Sequence, residues 1–172
     1  MGMYTGIRFK GIVKEKFRKD FDKIALNGDW EESEDTKFKQ FGLFGRSGFI
    51  PRGVLCYMPE SWEADYINDK GEKEIDFGKY YKQMPTDGFE RTYNEETGYW
   101  TFQCSLKNYE DEIGSFFELI PYFIESIEHL EYFYEEMTWS KEYKLIDNGV
   151  VLVNDKFIKY NKYWDKEDNF RY

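Results

Sequence analysis

The chain is poor in the residues that build covalent frameworks and metal centres, with two cysteines, one histidine and four prolines among 172 residues. Two cysteines exclude a disulfide-rich scaffold, and a single histidine excludes every mechanism that needs a pair of them. The sequence also lacks GxGxxG, GxSxG, CxxC and P-loop motifs, whose residues hold phosphates or supply nucleophiles. We therefore predict no catalytic residue, no cofactor and no metal site.

Long apolar runs and positive charge are also scarce. No apolar stretch approaches the length of a membrane span, and the first residues do not form a signal peptide, which predicts a cytoplasmic protein without membrane association. The 34 Asp and Glu outnumber the 24 Lys and Arg, so the net charge is −10. Nucleic acid and anionic membranes repel such a chain. We therefore expect a basic protein as partner, and no direct contact with nucleic acid.

Aromatic residues, in contrast, are abundant. The 16 Phe, 15 Tyr and 5 Trp make up 21% of the chain. This content argues for a folded core, although 34% of the residues are charged. A length of 172 residues fits one domain, so we predict a single domain over residues 1–172.

Residue patterns in the first half of the chain predict two strands and two helices. Apolar and basic residues alternate over 4–14, which is typical of a half-buried strand. Apolar residues at helical spacing follow over 17–25, and Asn27-Gly28 supplies residue types that end a helix. Residues 38–44 predict a short helix, and residues 49–58 predict a second strand.

The second half begins with residues 59–88, whose many charges and few aliphatic side chains predict a surface excursion. Asp147-Asn148-Gly149 is the strongest hairpin signal in the chain. Asn108 is placed to cap a helix whose apolar face reaches Ile127, and Pro121 should kink that helix. The predicted strands are a hairpin of 89–93 and 99–106, a strand over 130–134, a hairpin of 143–146 and 150–153, and a short strand over 157–160.

This order of elements predicts an α+β fold. Strand, helix, strand is followed by hairpin, helix, strand, which is the βαβ-βαβ order of a ferredoxin-like sandwich. We therefore expect an antiparallel sheet with helices on one face and additional C-terminal hairpin strands.

Two side-chain types could carry chemistry on these strands. Cys56 and Cys104 have apolar same-face neighbours, so we expect two buried, reduced and unreactive thiols. His129 would share a strand face with Glu131 and Glu135, and this spacing can bring a histidine and two carboxylates toward one metal ion. A small metal-assisted hydrolase is therefore an alternative to a binding protein.

Charge is segregated along the chain. Residues 108–140 contain nine acidic residues and no Lys or Arg, whereas residues 8–23 contain seven basic and three acidic residues. An acidic stretch with interspersed aromatic rings can oppose a basic surface and supply contact area. The predicted partner-binding residues are Glu118, Glu125, Glu128, Glu131, Tyr132, Tyr134, Glu135, Glu136 and Trp139. Helical spacing places Glu118, Glu125 and Glu128 outward, and an ordinary solvated face is the alternative explanation.

Four stretches, residues 49–53, 58–62, 99–109 and 127–136, resemble those of small uncharacterised proteins from phages and prophages of Gram-positive bacteria. The resemblance covers most of the chain and implies an accessory protein of a mobile element. It assigns no role to any residue.

These observations favour a non-enzymatic interaction protein that binds and modulates or inhibits a host or defence protein, with nucleic-acid mimicry by the acidic stretch as one mode. The metal-assisted hydrolase around His129 is the first alternative. A structural or assembly component of a virion is the second.

Overall fold

The computed structural model describes residues 4–54, 56–57, 66–74, 82–83, 86, 88–134 and 136–158. The helices in these residues are α1 (Asp22–Asn27), α2 (Thr36–Gly42), α3 (Phe49–Arg52) and α4 (Glu112–Phe123), with 3-10 turns at Glu15–Asp20 and Trp30–Glu32. The strands are β1 (Thr5–Val13), β2 (Cys56–Tyr57), β3 (Tyr66–Ile67), β4 (Lys73–Glu74), β5 (Lys82–Gln83), β6 (Thr92–Tyr93), β7 (Tyr99–Leu106), β8 (Ile124–Tyr134), β9 (Lys141–Ile146) and β10 (Gly149–Asn154).

Six of these strands form one antiparallel sheet in the order β10-β9-β8-β1-β7-β6. β1 lies in the middle, where Phe9 is opposite Phe102 on one side and opposite Leu130 on the other. The remaining four strands form two short pairs, β2 with β5 and β3 with β4. The predicted α+β class with an antiparallel sheet is therefore confirmed.

The helices pack on one face of the sheet, which places the main core between them. Phe9, Trp100 and Phe102 on the strands belong to the same buried cluster as Phe116 of α4 and Trp30 of the second 3-10 turn. Both buried indoles satisfy their N–H groups, because Trp30 Nε1 donates to the Ile50 carbonyl at 2.6 Å and Trp100 Nε1 donates to the Ala25 carbonyl at 3.0 Å. Each fully buried aromatic side chain stabilises the fold by about 1.5–3 kcal/mol. The abundant aromatic residues thus form the core.

The element ends predicted at Asn27-Gly28 and at Asp147-Asn148-Gly149 are confirmed. α1 ends at Gly28, whose φ of 73° lies in the left-handed region, as expected for a helix C-terminus. The Asp35 carboxylate accepts hydrogen bonds from the Lys37 and Phe38 amides and so caps α2. Asp147 and Asn148 have φ values of 47° and 60°, the geometry of a type I′ turn between β9 and β10.

The predicted strand over 49–58 is wrong in its first part. Phe49–Arg52 forms the short helix α3, and Cys56–Tyr57 is the part of the described segment that pairs as a strand. Pro51 has no N–H group to donate to a ladder, and Gly53 packs against the backbone of β7, where a Cβ atom would lie 2.2 Å from the Ser105 carbonyl oxygen. The segment therefore lies against a strand edge instead of extending it.

The predicted helix over 108–127 is correct only as far as Phe123. Its predicted apolar residues Ile124 and Ile127 belong to β8, where Ile124 is opposite Val13 and Ile127 is opposite Gly11. Asn108 accepts a hydrogen bond from the Ile113 amide at 2.9 Å, although Asp111 occupies the N-cap position. Instead of kinking a longer helix, Pro121 lies in its last turn.

The first strand is more buried than its pattern predicts. β1 was expected to expose its basic face, yet Arg8 on that face is 1% exposed. Both faces of the central strands are therefore covered.

Several predictions fall partly or wholly outside the described residues. These are the face of the Cys56 side chain, most of the excursion over 59–88, Glu135, and the end of the predicted strand over 157–160. Within the described part, Phe157 and Ile158 exchange backbone hydrogen bonds with Ser140. None of the described helices is long and apolar enough to cross a membrane.

Candidate functional site

The predicted partner-binding residues do not form one surface. Glu125 and Glu128 are exposed in the first half of β8, whereas Tyr134 lies at its end. Nine residues separate Tyr134 from Glu125, which corresponds to about 30 Å along a strand. Glu136 and Trp139 follow that far end and are exposed. Two other predicted residues lie elsewhere. Glu118 is exposed on α4, and Tyr132 is half-buried on the face of the sheet that packs against the helices.

Glu131 is the clearest correction, because it is fully buried. β8 alternates its side chains between the two faces of the sheet, and Glu131 lies opposite Arg8 of β1. Its Oε2 is 3.1 Å from His129 Nε2. Glu131 therefore cannot contact a partner on an exposed acidic surface.

Glu125 and Glu128 instead lie near acidic residues from other parts of the sequence at one end of the sheet, beside Arg18, Tyr93 and Tyr99. Arg18 NH2 is 3.7 Å from the Glu125 carboxylate, whose side chain is 60% exposed. The same guanidinium donates to the carbonyl oxygens of Glu96 and Val13, at 3.0 and 2.9 Å. We call this group the acidic end of the sheet, and its carboxylates are those of Asp22, Glu95, Glu96, Glu125 and Glu128.

Two tyrosines show the electrostatics of the acidic end. Burial raises the pKa of Tyr93 to about 12, where the Glu95 and Asp22 carboxylates add to the increase and the Arg18 guanidinium opposes it. Burial also raises the pKa of Tyr99, and its hydroxyl donates to Glu128 Oε2 at 2.9 Å, which raises it further. Both phenols are neutral at physiological pH and add no charge.

An open groove of about 550 Å³ adjoins the acidic end, with which it shares Asp22. Its floor contains Phe17, Ile24 and Phe38, and its described cationic residues are Lys16 and Lys23. Six carboxylates line it, from Asp20, Asp22, Asp29, Glu32, Glu34 and Asp35. None of these six lies in the predicted stretch, and all of them come from one segment, residues 20–35.

The basic stretch over 8–23 packs against the acidic one. Lys14 Nζ donates to the carbonyl oxygens of Pro121 and Tyr122, at 2.7 and 3.2 Å, near the end of α4. Lys16 lies 5.2 Å from the centre of the Tyr122 ring. The basic and acidic stretches, which are separate along the sequence, are therefore partly brought together in the fold.

A row of polar side chains on the second face of the sheet was missed. Across three strands run His129, Glu131, Arg8 and Gln103, with Arg8 Nε donating to Gln103 Oε1 at 2.9 Å. Alternation along the strands indicated which residues share this face, and the predicted common face of His129 and Glu131 is correct. The sequence carries no signal that this face would be covered.

In the part of the chain that the structure describes, no group of three or more His, Cys, Asp or Glu side chains is arranged to hold a metal ion. His129 instead packs against Phe89 and Phe157, with ring centres 4.8 and 5.6 Å apart.

Among the described residues, the acidic end and its groove thus bring exposed carboxylates from several segments close to one another. Comparison of the chain with protein-family models, curated proteins and solved structures gave no match.

Proposed function

We propose that this chain is a non-enzymatic interaction protein of a phage or other mobile element, which acts in the host cytoplasm by binding a basic surface of a host or defence protein. The observation that carries the proposal is the acidic end, where Arg18 forms an ion pair with Glu125 and the Asp22, Glu95 and Glu128 carboxylates lie beside the neighbouring Tyr93 and Tyr99. The resemblance of four stretches to phage and prophage proteins supports the mobile-element origin.

The fold that we propose is ferredoxin-like with an added hairpin. The order β8-β1-β7-β6, with every neighbour antiparallel, supports this arrangement, because the hairpin β6-β7 and the strand β8 flank β1 as in βαβ-βαβ folds. β9 and β10 then extend the sheet beyond β8.

The proposed mode of binding is electrostatic. Glu125 and Glu128 lie on a strand, and Glu95 and Glu96 lie on the turn between the paired strands β6 and β7. A fixed array of negative charge attracts the Lys and Arg side chains with which nucleic-acid-binding proteins hold phosphates. Inhibition by nucleic-acid mimicry follows if the partner's phosphate-binding surface is the one that is covered.

The test compares two double variants with the same change in charge. Retention of a host protein from lysate identifies the partner, and association is then measured between about 0.01 and about 0.15 M salt, where the Debye length falls from about 30 to about 8 Å. We expect Glu125→Gln with Glu128→Gln to slow association about threefold or more and to weaken its salt dependence.

The matched control is Glu118→Gln with Glu136→Gln, which removes two exposed carboxylates outside the acidic end. We expect this control to associate at nearly the wild-type rate. Equal rates for both double variants and the wild type would show that the acidic end only aids solubility.

A second candidate function, an assembly component, is favoured by the edge strand β10. Val151, Leu152 and Val153 are 41–44% exposed there, and residues 149–154 carry no charge to discourage pairing with another strand. Sedimentation velocity over a range of concentrations tests this function. Assembly through β10 predicts oligomers that Leu152→Lys dissociates, whereas a monomer at all concentrations excludes it.

A further inference from the structure

In the part of the chain that the structure describes, the edge strand β10 leaves half of its backbone groups unpaired. The six-stranded sheet ends at β10, which pairs with β9. The two-residue turn closes on a hydrogen-bonded pair, Ile146 with Gly149. Hydrogen-bonded and non-hydrogen-bonded pairs alternate along an antiparallel ladder, so the N–H and C=O groups of Val150 and Leu152 point away from β9. These groups can pair with another strand.

The side chains of β10 do not discourage such pairing. Lysine, proline and inward-pointing charges are common protections of a sheet edge, and the β10 sequence GVVLVN has none of them. Val151, Leu152 and Val153 are 41–44% exposed. Because successive side chains of a strand point to opposite faces, these exposed apolar groups lie on both faces of the edge.

The hairpin β9-β10 is also neutral, on a chain whose net charge is −10. Residues 141–156 contain three Lys and three Asp or Glu. Lys144, opposite Val151, lies with its Nζ 3.8 Å from the Glu142 carboxylate. A second copy of the hairpin therefore meets no local excess of like charge, whereas a strongly charged partner finds no opposite charge to attract it. The charges of this edge favour a second copy as the occupant.

We propose that two copies of this chain pair through β10 and form a closed, two-fold symmetric dimer with one continuous antiparallel sheet. The inference rests on the second candidate function, assembly through β10, and names a second copy as the partner. The opposite edge of the described sheet is β6, which consists of Thr92 and Tyr93. Such a short edge does not support further pairing, and an isologous interface is closed, so assembly stops at the dimer.

The pleat and the regularity of β10 determine the register of this dimer. Residues opposite each other in an antiparallel pair share a face, so a two-fold axis perpendicular to the sheet passes through a residue position and not between two positions. The β9-β10 ladder is regular from Gly149 to Leu152 and irregular between Leu152 and Asn154. An axis at Val151 uses the regular part, because it places Val150 opposite Leu152 of the second copy. The two Val151 residues then form a non-hydrogen-bonded pair with Cα atoms about 4.5 Å apart.

Disulfide formation between copies tests this register. The experiment uses the full chain with Cys56→Ser and keeps Cys104, which is buried. We expect Val151→Cys in this background to form a covalent dimer in a glutathione redox buffer, because Cα atoms about 4.5 Å apart can be bridged. The matched control is Val153→Cys, on the same strand and face and 42% exposed against 41% for Val151. In the proposed register the two copies of position 153 lie about 13 Å apart along the strands, which is too far for a disulfide.

Sedimentation velocity over a wide range of protein concentration tests the dimer itself. We expect Val151→Lys to raise the dissociation constant tenfold or more. Leu43→Lys changes a side chain that is 77% exposed at the end of α2 and should leave the constant unchanged. Both side chains are exposed, so both variants should fold. Added salt should not weaken the dimer, because salt screens the repulsion between two chains of net charge −10.

The outcomes separate the dimer from the proposed functions. A wild-type chain that stays monomeric at all concentrations would overturn the dimer together with the assembly function. Assemblies larger than a dimer, or equal cross-linking of Val151→Cys and Val153→Cys, would overturn the closed dimer alone. The acidic end shares no residue with β10, and its binding to a basic partner should weaken as salt rises, so that function stands or falls on its own test.

Discussion

Replacement of Gly6 by alanine tests whether the second face of the sheet is packed as described. Gly6 of β1 lies opposite Phe133 of β8, and a Cβ atom at position 6 would lie 2.0 Å from Phe133 Cε2 and 2.3 Å from Cζ. Ordinary carbon contacts are about 3.5–4.0 Å, so the ring would have to move by about 1.5 Å. Phe133 is 1% exposed and cannot turn into solvent.

Overpacking of a core costs about 1–3 kcal/mol, and the short distance places Gly6→Ala toward the upper end of that range. We expect the free energy of unfolding, measured by urea denaturation, to fall by about 2–3 kcal/mol. Phe133→Leu removes the two nearest ring atoms, so Gly6→Ala should cost less in that background. The difference is the coupling energy of a double-mutant cycle.

Gly149 provides the matched control, because it is also a strand glycine and the nearest atom to its Cβ position is the Ile146 carbonyl oxygen at 3.6 Å. We expect Gly149→Ala to change stability by less than about 0.5 kcal/mol, or to raise it by restricting the unfolded chain. If Gly6→Ala were as stable as Gly149→Ala, Phe133 would not pack against β1 and the assignment of the second face would be wrong.

Three further predictions concern titratable side chains. Burial raises the pKa of the Cys104 thiol, so in a Cys56→Ser background a thiol reagent at about pH 8 should label Cys104 only after unfolding, and rapid native labelling would contradict its burial. The Tyr93 pKa of about 12 exceeds its unfolded value of about 10, so stability should be lost as pH rises from about 10 to about 12. Melting temperatures of Tyr93→Phe should fall less steeply over that interval, and equal slopes would exclude this cause. His129→Ala should leave partner binding intact with a modest loss of stability, whereas stoichiometric zinc or manganese that disappears in this variant would favour the hydrolase.

Element ends could be predicted where the signal is local. Gly28 ends α1 because it adopts a left-handed conformation that other residues avoid, and Asp147-Asn148 forms a tight turn for a related reason. These signals depend on the preferences of one or two residues. The predictions from these local signals are correct because the tertiary structure does not oppose the same local conformations.

The boundary between α4 and β8 could not be predicted, because Ile124 and Ile127 fit two patterns. They continue the helical spacing of Ile113 and Ile120, and they are also β-branched residues suited to a strand. Pairing with β1 decides between the two, since Val13 and Gly11 offer backbone partners to this segment. Such a contact joins residues more than 100 positions apart and leaves no local trace.

The burial of the polar side chains on the second face of the sheet could not be predicted from the sequence either. Alternation along β1 and β8 indicates which residues share a face, and His129 and Glu131 do share one. It does not indicate whether that face is covered, because polar residues are typical of solvated sheet faces. Arg8 and Glu131 are nonetheless buried on this face. Glu131 therefore lies in the interior and not on the predicted binding surface.

Residues 108–140 do not form one binding site, because electrostatic attraction depends on distances in the folded structure and not on separation along the sequence. Glu125 and Tyr134, near the two ends of β8, are about 30 Å apart. This is about four Debye lengths at physiological salt, so Glu125 and Glu136, which follows Tyr134, act on a partner independently. Glu125, Glu96 and Arg18 are distant in sequence, yet Arg18 contacts both of the others. A basic partner at this end therefore also meets the Arg18 guanidinium, whereas a count over residues 108–140 predicts nine acidic residues without a cation. Removing Arg18 should consequently strengthen attraction at the acidic end, while removing Glu136 should leave it unchanged.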